Sequence, residues 1–408
     1  MKKFVIIGGG AAGFFAAINA AELNPDLDIT ILEASGHVLQ KVKVSGGGRC
    51  NVTNACFEPK ELIKFYPRGA KELLGPFHQF MTGDTMEWFD THGVPMKIEA
   101  DNRVFPEANT SQAIIDCFLQ QVEKHKIKVL KKHRVQGVSK NGTAFKIKTS
   151  EQCFEADYLM IATGSTPKMW DIVGDLGHHI VNPVPSLFTF NVQHRLLEGI
   201  PGLSVPYATV KVLGQKLEAS GPLLITHWGL SGPAVLKLSA WGARSLEEQQ
   251  YQFDIEVNWI SKRKEHVMET LKRLKKTQPK KQVSIRSAFE DVAKRLWVKI
   301  VLTANIPDQC QWAQLSHKEL ESLTQQLTAC KLRVNGKSTF KEEFVTAGGI
   351  DLKEINFKRF ESRKHENLFF AGEILNIDAI TGGFNFQNAW TGGWLVAQSV
   401  ASDSLSQG

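Results

Sequence analysis

The first residues able to do chemistry are Gly8-Gly9-Gly10-Ala11-Ala12-Gly13, in which Gly8, Gly10 and Gly13 form GxGxxG around Ala11 and Ala12. They follow an apolar run, Phe4 to Ile7, and open a stretch with apolar residues at helical spacing. Each glycine has its own task. The first permits a tight turn, the second lets backbone approach a pyrophosphate, and the third lets helix pack closely on strand, while the helix N-terminus offers N–H donors to phosphate. Glu33, twenty residues beyond Gly13, ends a second apolar run, where a carboxylate accepts ribose hydroxyls and repels a 2′-phosphate. A glycine-rich turn alone is the bland reading. With strand, helix, second strand and acid in register, dinucleotide binding is the expectation, with FAD or NAD favoured over NADP.

A second cluster, Lys41 through Asn54, reads KVKVSGGGRCNVTN and is dense in small, polar and cationic groups. Gly46, Gly47 and Gly48 can bring backbone N–H groups against a cofactor, flanked by Lys41 and Cys50, while Ser45, Arg49 and Asn51 offer directional hydrogen bonds. The competing reading is an exposed loop, for which three consecutive glycines are an entropically unfavourable choice. A third cluster lies near the other end of the chain. There Gly372-Glu373 closes an apolar run, and Gly382-Gly383 precedes a helical stretch carrying Asn385 and Ala389. Such a turn aims helix N–H groups at the pyrimidine edge of an isoalloxazine ring, where negative charge collects on reduction. The plain alternative is an ordinary helix start.

Three further features invite sharper readings. Cys50 and Cys56 are spaced CxxxxxC, one residue longer than the redox pair of disulfide reductases, so packing is the expected role of Cys50. Gly229-Leu230-Ser231-Gly232-Pro233 fails the GxSxG nucleophile elbow at its last position, which leaves Ser231 as a helix-start residue and His227 as a junction residue. Residues 262 to 281 hold nine Lys or Arg. With Val267, Leu271 and Leu274 at i, i+4, i+7, that run reads as the solvated face of a helix rather than a nucleic-acid or membrane patch.

The elements that must position these residues follow from periodicity. Residues 3–7, 11–23 and 28–33 give strand, helix and strand; Ser111 to about Lys126 is helical, and 127–130, 135–138 and 144–149 are extended. Tyr158 to Ala162 is a buried strand ending at Thr163-Gly164. Short alternating segments such as Ala208–Leu213 and Leu223–Thr226 indicate a separate β domain, and Phe289–Ala304 with the capping box Ser316-His317-Lys318-Glu319 a helical one. Asn367–Glu373 returns the chain to its first domain. The expected segments are 1–190 and 346–408 for the dinucleotide-binding domain, 191–255 and 326–345 for the inserted β domain, and 256–325 for the helical subdomain.

Composition narrows the class. The chain has 408 residues, 42% hydrophobic and 22% charged, with a net charge of +7. That is the balance of a globular protein of two or three domains. The apolar run at the N-terminus stops at Gly8, too short for a signal peptide, and no other run is long enough to cross a membrane. A cytoplasmic protein without a membrane partner is expected. Six scattered cysteines without CxxC spacing exclude a disulfide framework and a zinc site from the expectation.

The pieces KVKVSGGGRCNVTN, NRVFPEANTSQAI, LMIATGSTP, THWGLSGPAVL and AGEILNIDAITGGFNFQNAWTGG together resemble the BaiN-like, aminoacetone-oxidase-type family of FAD-dependent oxidoreductases over nearly the whole chain. That resemblance implies an α/β fold: a Rossmann-like, glutathione-reductase-type FAD-binding domain with an inserted β-barrel-like domain and a small helical subdomain. It also implies that Val135 meets the adenine through its backbone and that Thr163 and Gly164 pass close to the cofactor. Gly372, Glu373, Asn385 and Ala389 would line the flavin side, and Asn102 to Pro106 part of a substrate wall.

The expected activity is hydride transfer between flavin N5 and a small organic substrate, with NAD(P)H as a candidate electron donor and nucleic acid not expected as a partner. NAD(P)H-fed reduction and oxidation by O2 both fit these residues. No residue stands out as catalytic acid, base or nucleophile. The rivals are a flavin-binding sensor without turnover and a flavoprotein acting on RNA.

Overall fold

The computed structural model describes residues 1–338 and 345–406, so part of the expected return segment 326–345, and residues 407 and 408, lie outside the described residues. The chain forms two compact units, Met1–Val184 with Lys341–Gly408, and Pro185–Phe340.

The first unit is built on a seven-stranded sheet with Lys3–Ile7 near its middle. Asp28–Leu32 and then Lys128–Leu130 lie parallel on one side, Tyr158–Ile161 and then Leu368–Phe370 parallel on the other. Two short antiparallel strands, Glu361–Ser362 and Ile355–Asn356, extend the sheet. Phe4 to Ile7 and Tyr158 to Ile161 are buried throughout. Strands covered on both faces have no polar side to alternate with, which is why these runs read as continuously apolar.

One covering element is the helix Ala11–Leu23, buried from Ala12 to Ala21. The last helix, Phe384–Ser406, packs against it. The two approach closely at Gly393, where an added Cβ would lie 2.8 Å from the Ala12 carbonyl oxygen. Phe15, Trp88, Phe89, Phe118 and Trp390 fill the space alongside in tilted and edge-on contacts. The expected meander is present as Val135–Asn141, Ala144–Thr149 and Cys153–Ala156.

The second unit carries an antiparallel seven-stranded sheet running from Cys330–Asn335 through Gln252–Asn258, Ser204–Val212, Leu217–Ile225, Gly229–Ser231 and Thr189–Asn191 to Lys337–Ser338. Its barrel-like character stops short of closure, because the two end strands are not hydrogen-bonded to each other; no closed barrel occurs among the described residues. Val205, Ala208, Val210 and Val212 face the core, alternating with outward Thr209 and Lys211.

Helices Pro233–Trp241, Ala243–Glu248, Lys264–Thr277, Lys294–Thr303 and His317–Thr328 also belong to this unit. The capping box forms as expected, Ser316 Oγ accepting from the Glu319 N–H at 3.2 Å and Glu319 Oε2 accepting from the Ser316 N–H at 2.7 Å. The helical pattern beginning at Phe289 is realised only from Lys294. Ser287 Oγ both accepts from the Phe289 N–H and donates to its carbonyl, holding a turn that competes with helix. Ser231 ends a strand rather than starting a helix, accepting a hydrogen bond from Thr189 Oγ1 at 3.0 Å. No described helix is long and apolar enough to cross a membrane.

Candidate functional site

The residues singled out from the sequence as cofactor-binding all fall in the first unit, and Gly8, Gly10, Glu33, Thr163, Gly164, Gly372 and Glu373 lie on the turns that follow its parallel strands. Gly8, at φ +116°, sits where an added Cβ would lie 2.4 Å from the Ala162 carbonyl oxygen, so the turn admits no side chain. Gly13 packs as closely, its Cβ position 2.2 Å from the Gly8 carbonyl oxygen. Gly10 differs: nothing lies within 4 Å of its Cβ position. It caps the first helix without a side-chain partner, so the leading N–H groups of that helix, around Ala11 and Ala12, open onto unfilled space.

Glu33 faces this turn and is fixed by backbone donors, Gly9 N–H at 3.0 Å and Ser35 N–H at 2.7 Å. Its own carbonyl accepts from the His133 N–H at 2.9 Å, which brings the segment leading to buried Val135 alongside.

The Lys41–Asn54 cluster is more ordered than a loop. Residues from Gln40 are helical until Ser45, where the backbone turns extended, and Gly46, Gly47 and Gly48 then run left-handed. Gly47 and Gly48 have no neighbour within 4 Å of their Cβ positions. Ser45 Oγ donates to the Val42 carbonyl at 2.9 Å, and the Ser45 carbonyl accepts from the Cys50 N–H at 3.0 Å. Arg49 lies 3.9 Å from the Phe105 ring centre and pairs with Glu99 at 2.7 Å.

Cys50 is fully buried, and burial pushes its thiol up to about 12, a hydrogen bond with Ser45 opposing only in part. It is therefore a protonated packing group at neutral pH, not a thiolate nucleophile. Both Cys50 and Cys56 are free thiols.

The C-terminal cluster meets both earlier ones. Glu373 forms an ion pair with Lys41 and accepts from the Thr346 N–H at 3.1 Å, and the Gly164 Cβ position is 3.7 Å from its Oε2. Gly372 lies against Ala12. Gly383, at φ +93°, is pressed on the Thr53 backbone, its Cβ position 2.5 Å from the Thr53 carbonyl. In the amide orientation that satisfies both its partners, Asn51 donates to the Thr53 carbonyl and accepts from the Gly383 N–H, each at 3.0 Å. Asn54 Nδ2 donates to the Gly382 carbonyl at 3.3 Å, and Trp390 Nε1 to the Val52 carbonyl at 2.9 Å.

Below these contacts Gln387 Oε1 accepts from Thr53 and Thr85 in a fully buried network. Asn385 spends both ends of its amide on Ala379, holding the preceding turn, and Ala389 is buried.

Among the described residues, Thr163 Oγ1 and Asn388 Oδ1 are buried without a hydrogen-bond partner. Burying such groups unpaired is costly, so they call for a polar occupant. With the open glycine turns and the uncapped helix, they make a cradle that fits a dinucleotide carrying a polar ring. Asn388 was not singled out from the sequence, although its place one turn along from Asn385, near the start of the last helix, was a usable signal.

A family model described as HI0933-like protein Rossmann domain matches residues 2–399. The chain is 28% identical to the ribosomal RNA dihydrouridine synthase of Escherichia coli (strain K12), covering 100% of both sequences. It is 26% identical to the 3-dehydro-bile acid delta(4,6)-reductase of Clostridium scindens (strain ATCC 35704 / DSM 5676 / VPI 13733 / 19), covering 98% of this chain and 99% of that one. Among solved structures, a 3-ketosteroid-delta4-(5alpha)-dehydrogenase from Rhodococcus jostii RHA1 superposes with a TM-score of 0.53 at 15% identity, over 98% of this chain and 97% of that one, a likeness of fold. The first of these relatives, by its name, leaves the expectation against nucleic acid as a partner without support.

Proposed function

The chain belongs to the HI0933-like family and is an FAD-dependent oxidoreductase; from that premise we propose that it reduces a carbon–carbon double bond conjugated to a carbonyl, with NAD(P)H as electron donor and a uracil ring in RNA as substrate. The observation that carries this reading is the chemistry common to two full-length relatives. Dihydrouridine is uridine saturated at C5=C6, a bond conjugated to the C4 carbonyl; a 3-dehydro-bile acid with 4,6 unsaturation presents the same arrangement on a steroid.

When bound and reduced, the flavin supplies a hydride at N5. The net change would add a hydride equivalent at the β-carbon of the double bond and a solvent proton at its α-carbon, with NAD(P)H as the source of the two electrons. In this reading the N–H groups around Gly10 to Gly13 hold the pyrophosphate, Glu33 the ribose, and the Val135 backbone the adenine. Lys41, Ser45 through Arg49, Asn51, Thr163, Gly164, Gly372 and Glu373 would bound the isoalloxazine, Cys50 being buried in packing. Gly382 and Gly383 present the start of the last helix to its pyrimidine edge, which favours the anionic reduced ring.

Charge distribution favours RNA over a small enone. Residues 185–340 carry 22 Lys and Arg against 13 Asp and Glu, a net of +9, while the rest of the chain carries 27 against 29, a net of −2. A cofactor domain of slight negative charge joined to a strongly basic unit suits a polyanionic substrate.

The test is anaerobic mixing with NADH or NADPH, followed by ribosomal RNA fragments or a 4,6-unsaturated 3-keto steroid. Flavin bleaching, then reoxidation by RNA with formation of dihydrouridine, is expected. Reoxidation by the steroid alone would replace the substrate, and no reoxidation by either would remove the reaction class.

A further inference from the structure

The basic run read from the sequence as a solvated helix face has features that solvation does not explain. Residues 261–300 contain 13 Lys and Arg and 4 Asp and Glu, so this one segment accounts for the whole net charge of its unit. Its helix, Lys264–Thr277, buries Val267, Thr270 and Leu271, which turns Lys272, Arg273 and Lys276 outward. Lys280 and Lys281 continue the exposed surface beyond the helix end. Among the described residues none of these five cations is in an ion pair.

Complementing the helix dipole accounts for cations in the last turn, Lys275 and Lys276, and Lys275 also donates to the Leu315 carbonyl. The same dipole makes the other end unfavourable for positive charge. Yet Lys262, Arg263 and Lys264 stand there, and Arg263 caps the helix without a side-chain hydrogen bond to it.

These three residues line a depression of about 440 Å³ together with Thr209, Ser261 and Asn258. The Thr209 hydroxyl is within 2.9 Å of the Ser261 hydroxyl, and Asn258 Nδ2 donates to the Lys262 carbonyl at 3.0 Å. Glu218 and Glu256 enter the same depression as the cross-strand neighbours of Lys211. A concave site with free helix N–H groups and three cations at its rim is suited to a phosphate, and the cations along the helix continue that preference over roughly 21 Å.

We infer that this face, the helix Lys264–Thr277 with the turns at its two ends, docks the sugar–phosphate backbone of RNA. The inference rests on the RNA reading above and adds where the RNA is held. An anionic membrane is the poorer partner, because the apolar side of the helix is committed to the core and has nothing to insert into lipid.

The experiment uses FAD-loaded protein and two RNA oligonucleotides of matched length, one free of uridine. Three variants are compared with the wild type: Lys272→Gln/Arg273→Gln/Lys276→Gln; Arg263→Gln/Lys264→Gln; and, as a control of equal charge loss elsewhere on the unit, Lys216→Gln/Lys237→Gln/Lys331→Gln. The first variant should bind both RNAs about tenfold more weakly and lower the slope of log affinity against log salt by about 2, from the phosphate contacts removed. The second should act in the same direction, and the control should stay within about twofold. Flavin reduction by NAD(P)H should be unchanged in all three, which separates a lost docking face from a lost fold. Equal weakening in the control, unchanged binding in the first two variants, or tighter binding to phosphatidylserine vesicles than to RNA would overturn the inference. A wild type that turns over RNA while the face variants behave normally would leave the reaction standing and remove only the docking face.

Discussion

Gly383 is held at positive φ with its Cβ position 2.5 Å from the Thr53 carbonyl, so any side chain there must displace Thr53, whose carbonyl anchors Asn51 and whose hydroxyl bonds Gln387. Gly383→Asp adds a carboxylate where the proposed reduced ring gathers negative charge. Loss of FAD, or a lower flavin reduction potential from about 1 to 3 kcal/mol withdrawn from the reduced state, is expected. Gly174→Asp is the control, since nothing lies within 4 Å of that Cβ position. Flavin content and potential measured on both variants decide it; normal binding and potential in Gly383→Asp would dissociate the C-terminal turn from the cofactor. The cysteines give the opposite expectation. Cys50→Ser and Cys56→Ser should keep flavin reduction by NAD(P)H, with Cys50→Ser losing about 1 to 3 kcal/mol of stability by burying a hydroxyl. At this scale the sequence was most informative where one residue type alone satisfies the backbone, as at Gly8 and Gly383. It was least informative where a role depends on partners distant in the chain. Gln387 shows this, since the Thr53 and Thr85 hydroxyls that it accepts from lie 334 and 302 residues earlier, and Asn388, whose Oδ1 is buried without a partner among the described residues, was not singled out at all.

Among elements, the crossing of the first and last helices sets the spacing of the two glycine turns that the proposed cofactor would bridge. Their crossing at Gly393 leaves no room for a side chain beside the Ala12 carbonyl, so Gly393→Val should separate them. A cost of about 1 to 3 kcal/mol, the usual range for overpacking, is expected together with weaker FAD retention, measured by urea unfolding and flavin release. Unchanged retention in a destabilised variant would mean that the crossing supports the fold alone. His178 ties another set of elements, its ring bonding Glu354 at 2.8 Å and Ser362 at 3.0 Å. Burial holds His178 below the usual histidine value, with Glu354 pulling weakly the other way. A group depressed in the folded state adds stability above its unfolded pKa of about 6.5 and loses it as pH falls through the folded value. The stability advantage of wild type over His178→Gln should therefore shrink on acidification below about pH 6.5; an advantage that grows would contradict the assignment. Periodicity made the parallel strands and the Ser316 box legible, because those signals are local. The late start of the helix at Lys294 was not legible, since the Ser287 side chain competes with the backbone there, and neither was the pairing of Thr53–Asn54 with Arg103–Pro106 across fifty residues.

For the molecule as a whole, the proposed cofactor cradle draws on segments from both ends of the chain, while residues 185–340, which separate those segments in sequence, form a compact unit of their own. FAD bound only by the folded first unit should raise that unit's unfolding free energy by about 2.7 kcal/mol at a hundredfold excess over Kd. Calorimetry of FAD-loaded and stripped protein should show the shift in one transition while the other stays put. A shift of both by the same amount would mean that the units unfold together. The same arrangement sets a schedule for synthesis. Val184 closes the N-terminal part of the first unit, but the last helix, which packs on the first at Gly393, begins only at Phe384, 200 residues later. At about 5 to 20 residues per second the ribosome needs roughly 10 to 40 s to cover that distance. Through that interval the face of the first helix that meets the last helix stays uncovered, and the proposed cofactor cradle stays incomplete until the turn at Gly382 and Gly383 and the helix after it have been made.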